Sequence, residues 1–223
     1  MKKGRLQTAT TIFLKCVVII SVIIGIPLCA HETKGFFMSG STIFMYFTIQ
    51  SNILIGLICL VGLIFLIRKQ KPGNTWYIIK YVGTVAITLT GVVFCFVLAP
   101  TLGDHAWNIQ NILTHVVVPL GSIIDFFVTG TDSDIRKKSV YLVMIPPLLY
   151  AIYAAIGFVN GWEFSKGKTY PYFFLNWGSP AGAFGFSDEL PFMGCAWWII
   201  AILLFLLGIG YLYLRILDRL KKK

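Results

Sequence analysis

The sequence predicts an all-α integral membrane protein with six transmembrane helices, arranged as a single transmembrane domain over residues 1–223. The first observation is composition: 57% of the residues are hydrophobic, 13% are charged, and the mean hydropathy is +0.80. A soluble domain has no interior large enough for that apolar load. The second observation is pattern, because charged residues fall into short clusters with long apolar stretches between them.

Each apolar stretch is long enough to cross a hydrocarbon layer of about 30 Å at about 1.5 Å per residue. The connections that carry the basic clusters are short, so we expect the helices on either side of each to form antiparallel hairpins. The expected spans are Ile12–Ala30, Ile43–Ile67, Trp76–Pro100, Ile109–Val128, Val140–Phe158 and Leu190–Leu214.

The first stretch also has the order of a cleavable signal, with two lysines, an apolar run and the tripeptide Leu28-Cys29-Ala30. The run is long for a signal, however, and Lys15 lies inside it. We therefore expect the first helix to be retained, with the Lys15 side chain extending toward the inner headgroups.

Basic residues are concentrated before the first stretch and after the second, fourth and sixth stretches. These four clusters hold 14 of the 19 lysines and arginines. The positive-inside rule then places both termini in the cytoplasm of a multi-pass plasma-membrane protein. The net charge of +10 follows from this bias, which also attracts anionic lipid. No soluble domain is present to carry a basic surface, so we exclude nucleic acid as a partner and expect the lipid bilayer instead.

The connection between the fifth and sixth stretches is expected to be an aromatic outer loop. It runs from Val159 to Pro191, is rich in glycine, and contains Tyr170-Pro171-Tyr172-Phe173-Phe174. Loops of this length are usually functional or disordered, and the aromatic content argues against disorder. We expect the loop to form a cap that lies on, or dips into, the outer leaflet.

Two polar pairs interrupt otherwise apolar helices: Thr48 with Asn52, and Asn111 with His115. In each pair the i,i+4 spacing places both side chains on one helix face. By helix rise, Thr48 lies about 8 Å and His115 about 9 Å below the expected outer boundary. Hydrocarbon offers polar groups no hydrogen-bond partner, so the two pairs should face one another or a wet cavity.

These polar residues also have structural interpretations. A threonine in a membrane helix often bonds the carbonyl four residues earlier, and asparagine can join helices. The intramembrane histidine could be a structural partner, a haem ligand or a proton relay. Haem is disfavoured because the two other histidines lie in expected outer loops, and a relay would need more carboxylates than Asp125. Asp125 itself could be protonated or paired with Lys15 or Lys80.

The catalytic interpretation is acyl transfer. A neutral His115 would accept the hydroxyl proton of Thr48 as the oxygen attacks an ester carbonyl. Asn52 and Asn111 could orient the imidazole or donate to the oxyanion, and Ser51 shares the helix face of Thr48. No cluster of histidine and carboxylate residues has metal-ligand spacing, so we expect neither a metal nor an organic cofactor.

Three short motifs resemble the androgen-induced-protein family of six-span membrane proteins, which has bacterial members. They are Phe47-Thr48-Ile49-Gln50-Ser51-Asn52, Asn111-Ile112-Leu113-Thr114-His115-Val116-Val117-Val118-Pro119 and Thr169-Tyr170-Pro171-Tyr172-Phe173. The resemblance implies a bacterial membrane threonine hydrolase that cleaves fatty acid esters of hydroxy fatty acids. It implies Thr48 as the nucleophile and His115 as the base.

The sequence thus leads to a membrane-embedded hydrolase of lipid esters, whose partner is a membrane lipid or fatty acyl ester. The acyl chain is expected to lie between helices with its ester at the level of Thr48. Asn52, Asn111, Ser51 and Tyr170 are expected to bind or orient the substrate, the last from the covering loop. The alternative is a non-enzymatic lipid-binding or transport protein whose polar stripe recognises a headgroup.

Overall fold

The computed structural model describes residues 2–31 and 40–222, and within these ranges the chain is helical and has no β-strand. In that part of the chain six helices are long and apolar enough to cross a membrane, as the sequence predicts. They are α1 (Lys2–His31), α2 (Phe47–Ile67), α3 (Asn74–Leu102), α4 (Ile109–Thr129), α5 (Lys137–Val159) and α6 (Cys195–Lys221).

Helix α2 begins four residues later than the predicted span, at Phe47 instead of Ile43. Residues Gly40–Met45 form a 3₁₀ turn, and Tyr46 has an extended backbone with φ −93° and ψ 138°. The buried Tyr46 hydroxyl donates to the carbonyl of Phe164, 3.2 Å away. The extended backbone at Tyr46 separates the 3₁₀ turn from α2, at the position where Tyr46 contacts the 160–194 loop. Thr48 therefore lies in the first turn of α2 and not deeper within the helix.

The start of α1 and the end of α6 contact the last turn of α4 and the connection that follows it. Near the start of α1, the Gln7 amide donates to the carbonyl of Val128 at 2.9 Å. Near the end of α6, the Lys221 ammonium donates to the carbonyl of Ser133. We refer to this end of the bundle as the terminal end. The opposite end carries the 3₁₀ turn before α2 and the 160–194 loop, and we refer to it as the loop end.

The 160–194 loop packs into the loop end of the bundle. Its Phe164, Tyr172 and Phe174 side chains are buried against Tyr46 and Tyr150. Phe164 and Tyr172 both contact the Tyr46 ring edge to face, with centroid distances of 6.4 and 5.7 Å. Such contacts order an aromatic loop without regular secondary structure. The loop is therefore packed into the bundle, and its position on or in the outer leaflet stays a prediction.

Helix α3 is the most buried of the six and contacts α2, α4 and α6. Its close approach to α4 depends on Gly91, where an added Cβ would lie 3.0 Å from the His115 carbonyl oxygen and 3.1 Å from Pro119. Small residues permit such close backbone packing between membrane helices.

A buried ion-pair triad joins α1, α3 and α4. Asp125 Oδ2 lies 2.7 Å from Lys15 Nζ and 2.5 Å from Lys80 Nζ, and the three side chains are almost fully buried. The expectation that Lys15 extends to the headgroups is therefore wrong, because Asp125 provides a counter-charge inside the bundle. Of the interpretations open for Asp125, the structure shows pairing with both lysines.

Replacing Gly91 with alanine tests the approach of α3 to α4. We expect the free energy of unfolding to fall by about 1–3 kcal/mol, because the added methyl overpacks against the α4 backbone. The matched control is Gly208→Ala, at an exposed helical glycine with open space around it. Alanine is the better helix former by about 0.5–1 kcal/mol, so the control should be no less stable than wild type. Denaturant unfolding in detergent measures the free energy of unfolding of both variants. Equal changes in the two would contradict the close packing of α3 against α4 at Gly91.

Candidate functional site

The Thr48 side chain is held by the loop and not by its own helix. Its Oγ1 lies 3.1 Å from the Tyr172 hydroxyl, and its backbone N–H donates to the same phenolic oxygen at 3.3 Å. N–H groups in the first turn of a helix have no intrahelical acceptor, so Tyr172 supplies one. By contrast, Thr84, Thr88 and Thr114 donate to the carbonyl four residues earlier. Unlike in these three, the hydroxyl of Thr48 bonds a side chain of the distant loop and no carbonyl of its own helix.

Tyr172 is buried at the wall of the bundle. Its ring stacks on Phe174, with a centroid distance of 5.1 Å and an interplanar angle of 4°. Burial raises the pKa of the Tyr172 phenol, and the hydrogen bonds from Thr48 oppose that shift without cancelling it. The phenol therefore keeps its proton at neutral pH, so it can donate a hydrogen bond but cannot act as a base.

Asn52 links α2 to α4. Its Nδ2 donates to the carbonyl of Thr48 at 2.8 Å and to the carbonyl of Thr114 at 3.1 Å. Asn52 is fully buried, and its Oδ1 has no hydrogen-bond partner among the described residues. Ser51 makes a second link, since its hydroxyl lies 2.7 Å from that of Thr90 on α3. The polar stripe on α2 thus faces both α3 and α4.

His115 is fixed through its Nδ1 atom. Nδ1 lies 3.1 Å from the Asn111 carbonyl oxygen and 3.0 Å from the Thr114 hydroxyl, which itself donates to the carbonyl of Gln110. Both neighbours act as acceptors, so Nδ1 carries the proton. Nε2 is then the unprotonated nitrogen of the ring, the form that a general base requires. The ring stacks on Phe94 with a centroid distance of 3.8 Å.

Two π-helical turns, Phe94–Leu98 and Leu113–Val117, lie where His115 meets α3. Each turn ends two residues before a proline, Pro100 or Pro119. Proline has no N–H, and its ring crowds the carbonyl four residues earlier, which for Pro119 is the carbonyl of His115. A local widening of the helix relieves that crowding, and such turns often occur at functional sites. Both rings of the His115–Phe94 stack therefore come from π-helical turns that precede a proline.

A narrow apolar cavity of about 50 Å³ lies beside Thr48. Thr48, Thr90, Tyr150 and Tyr172 provide its polar edge, and the remaining wall is apolar. A cavity of this size holds a few water molecules, so an acyl chain could enter only if the walls moved apart. The apolar wall comes from α2, α3, α5, α6 and the loop: Phe47, Leu89, Val93, Leu98, Pro147, Ala151, Phe174, Leu175, Ile199, Ile202 and Leu203.

The predicted site residues occupy two adjoining positions. Thr48 lines the cavity, whereas His115 lies on the far side of the Asn52 bridge, and no hydrogen bond joins the two within the described chain. Asn111 holds His115 with its backbone carbonyl, while its side-chain amide donates to the carbonyl of Ala106 at 2.9 Å. The two polar pairs are therefore neighbours, connected through Asn52 and the Thr114 peptide.

The loop tyrosine that contacts Thr48 is Tyr172, whereas the sequence drew attention to Tyr170, whose expected part in substrate binding stays a prediction. Tyr170 is half-buried and is not among the residues that line the cavity. Both tyrosines belong to the Thr169-Tyr170-Pro171-Tyr172-Phe173 motif. The motif thus includes the tyrosine that contacts Thr48, but loops have no periodicity from which the inward-facing residue can be read.

Within residues 2–31 and 40–222, no group of three histidine, cysteine or carboxylate side chains is placed to hold a metal ion. The chain matches no family model, no curated protein and no solved structure. Function is therefore inferred from the chemistry of the site.

The contact between Tyr172 and Thr48 is tested by Tyr172→Phe. This change removes one hydroxyl and leaves two buried groups of Thr48 without their partner, so we expect stability to fall by about 1–3 kcal/mol. Tyr170→Phe is the matched control, because no hydrogen bond to its hydroxyl is found in the described part of the chain. Thermal unfolding in detergent measures both variants. Equal stability of the two would show that the Tyr172 hydroxyl does not hold Thr48.

Proposed function

We propose that this protein is a membrane-embedded hydrolase of lipid esters, with Thr48 as the nucleophile and His115 as the base. The proposal depends chiefly on one observation: the Thr48 hydroxyl is detached from its helix carbonyls and faces an apolar cavity, and the Asn52 bridge joins its helix to the one that carries His115, whose Nε2 is unprotonated. The resemblance of three motifs to a family of membrane threonine hydrolases supports the same chemistry. Fatty acid esters of hydroxy fatty acids are the substrate class that it suggests.

The reaction begins when the ester enters the cavity and separates Thr48 from Tyr172. The Thr48 oxygen bonds to the carbonyl carbon, and its proton passes to Nε2 of His115, which the opening of the cavity must bring within hydrogen-bond reach. The Tyr172 phenol donates to the oxyanion that forms, in the way that preorganised donors stabilise such charge. The carbonyl then re-forms, the bond to the leaving alcohol breaks, and that alcohol takes the proton from His115. Water hydrolyses the acyl-threonine by the same steps and restores the hydroxyl.

The charges of the bundle support one orientation in the membrane. Three of the four basic clusters have exposed residues at the terminal end of the bundle. Examples are Lys69 between α2 and α3, Arg136 between α4 and α5, and Arg219 near the end of α6. The positive-inside rule assigns that end to the cytoplasm. The loop end and the Thr48 cavity would then face the outer leaflet, from which a lipid substrate would enter between α5 and α6.

The second candidate is a non-enzymatic lipid-binding or transport protein. It is favoured by the hydrogen bond of Thr48 to Tyr172, because a threonine whose only task is to anchor the loop needs no base. In that case an acyl chain would occupy the same cavity without covalent chemistry.

Labelling of the purified protein with a fluorophosphonate separates the two candidates. We expect wild type to be labelled and Thr48→Ala not, while Thr48→Ser retains labelling because the hydroxyl remains. His115→Ala should lower the rate about 10²–10⁴-fold, the usual contribution of a general base. Thr84→Ala is the control, since this buried threonine donates only to the carbonyl of Lys80 and lies outside the cavity.

In hydrolysis of a fatty acid ester of a hydroxy fatty acid, we expect the variants to rank in the same order as in labelling. Mass spectrometry measures the product. Absence of labelling in wild type, or equal labelling of Thr48→Ala, would contradict the hydrolase. If in addition a fluorescent fatty acid bound wild type, and bound Thr48→Ala less tightly, the lipid-binding function would replace it.

A further inference from the structure

A second cavity, of about 610 Å³, lies at the terminal end between α1, α2 and α3. Lysine side chains from three segments contribute to its wall: Lys15 from α1, Lys80 from α3, and Lys71 from the connection between α2 and α3. No carboxylate is among the described residues that line it. The cavity is separate from the one beside Thr48, and the proposed hydrolysis makes no use of it.

The buried triad leaves positive charge at this cavity. Two lysines share the single carboxylate of Asp125, so the triad has a net charge of +1 when all three groups are ionised. Charge buried in a membrane protein is costly unless an opposite charge or a wet cavity compensates it. The excess lies on a wall of the cavity, where a bound anion would neutralise it.

The hydrogen bonds show which lysine can bind that anion. Lys80 Nζ has three acceptors, namely the Asp125 carboxylate, the Asp125 carbonyl and the Thr129 hydroxyl. Lys15 Nζ has one acceptor among the described residues, Asp125 Oδ2. An ammonium has three hydrogens, so Lys15 retains two for a ligand although its side chain is only 4% exposed.

The backbone of α2 makes room for this ammonium at Gly62. An added Cβ at Gly62 would lie 3.1 Å from Lys15 Nζ and 3.2 Å from its Cε. Any larger residue at position 62 would therefore crowd the Lys15 ammonium group. The aromatic residues Trp76 and Tyr77 line the same cavity, and residues of this kind favour the depth of lipid headgroups.

We propose that this cavity binds a phosphate group, with Lys15 as its principal ligand and Lys71 at the entrance. Lysine binds phosphate as a point charge, and basic pockets between membrane helices commonly bind anionic headgroups. The phosphate belongs either to an anionic phospholipid of the adjoining leaflet or to a soluble phosphate compound. In both cases the group lies next to Lys15 and neutralises the triad.

The test is the melting temperature of the full-length protein in detergent with three additions: phosphatidylglycerol, phosphatidylcholine or inorganic phosphate. We expect phosphatidylglycerol to raise the Tm of wild type by about 5 °C relative to phosphatidylcholine at saturating lipid. Lys15→Met should lose this rise, because it removes the ligand and leaves Asp125 paired with Lys80. Lys71→Gln should reduce the rise, whereas Lys69→Gln should keep it. Lys69 is an exposed lysine of the same connection that does not line the cavity.

The outcomes distinguish the two sources of the phosphate. A rise with phosphatidylglycerol alone supports a lipid headgroup, and a rise with inorganic phosphate that Lys15→Met abolishes supports a soluble ligand. The proposal is overturned if neither phosphatidylglycerol nor inorganic phosphate raises the Tm of wild type above its value in phosphatidylcholine, or if Lys15→Met responds as strongly as wild type. Should Lys15→Met fail to fold, equal responses of Lys71→Gln and Lys69→Gln would overturn it as well.

Discussion

The arrangement of the loop end depends on one buried amide. The Asn52 side chain is fully enclosed, and both hydrogens of its Nδ2 must find acceptors inside the bundle. One acceptor is the Thr48 carbonyl on α2 and the other is the Thr114 carbonyl on α4. This pair of bonds sets the distance between the two helices at the level where Thr48 and His115 lie. A shift of either helix would leave a buried donor unsatisfied, at a cost of about 1–3 kcal/mol.

The two ends of the bundle compensate their buried polar groups in different ways. At the loop end the groups are hydroxyls, amides and an imidazole, and neighbouring carbonyls or hydroxyls satisfy most of them. At the terminal end the groups are charged, and Asp125 pairs with two lysines. By helix rise the two centres are about 15 Å apart along α4, from His115 to Asp125. The uncharged network at the loop end is compatible with the proposed proton transfer. The charged triad at the terminal end has an excess of positive charge that attracts an anion.

Much of this architecture could be predicted from the sequence, because span length and hydropathy depend on composition alone. The spacing of Thr48 and Asn52 predicted that both lie on one helix face, from which Asn52 reaches the Thr114 carbonyl of α4, and Asp125 had Lys15 and Lys80 as possible partners. The role of Tyr172 could not be predicted, since a contact between a loop and a distant helix start leaves no local pattern. The start of α2 at Phe47 was missed for the same reason: the break at Tyr46 accompanies tertiary packing and not a change in hydropathy.

The central claim is that His115 carries its proton on Nδ1 and leaves Nε2 unprotonated, so that Nε2 can act as the base for Thr48. Nitrogen-15 NMR of histidine-labelled protein in lipid nanodiscs tests it directly, with the His115 signals assigned by their loss in His115→Gln. The account predicts a ring protonated on Nδ1 alone, since both neighbours of that atom are acceptors. A ring protonated on Nε2, with Nδ1 unprotonated, would contradict it, because no base would then be available to Thr48.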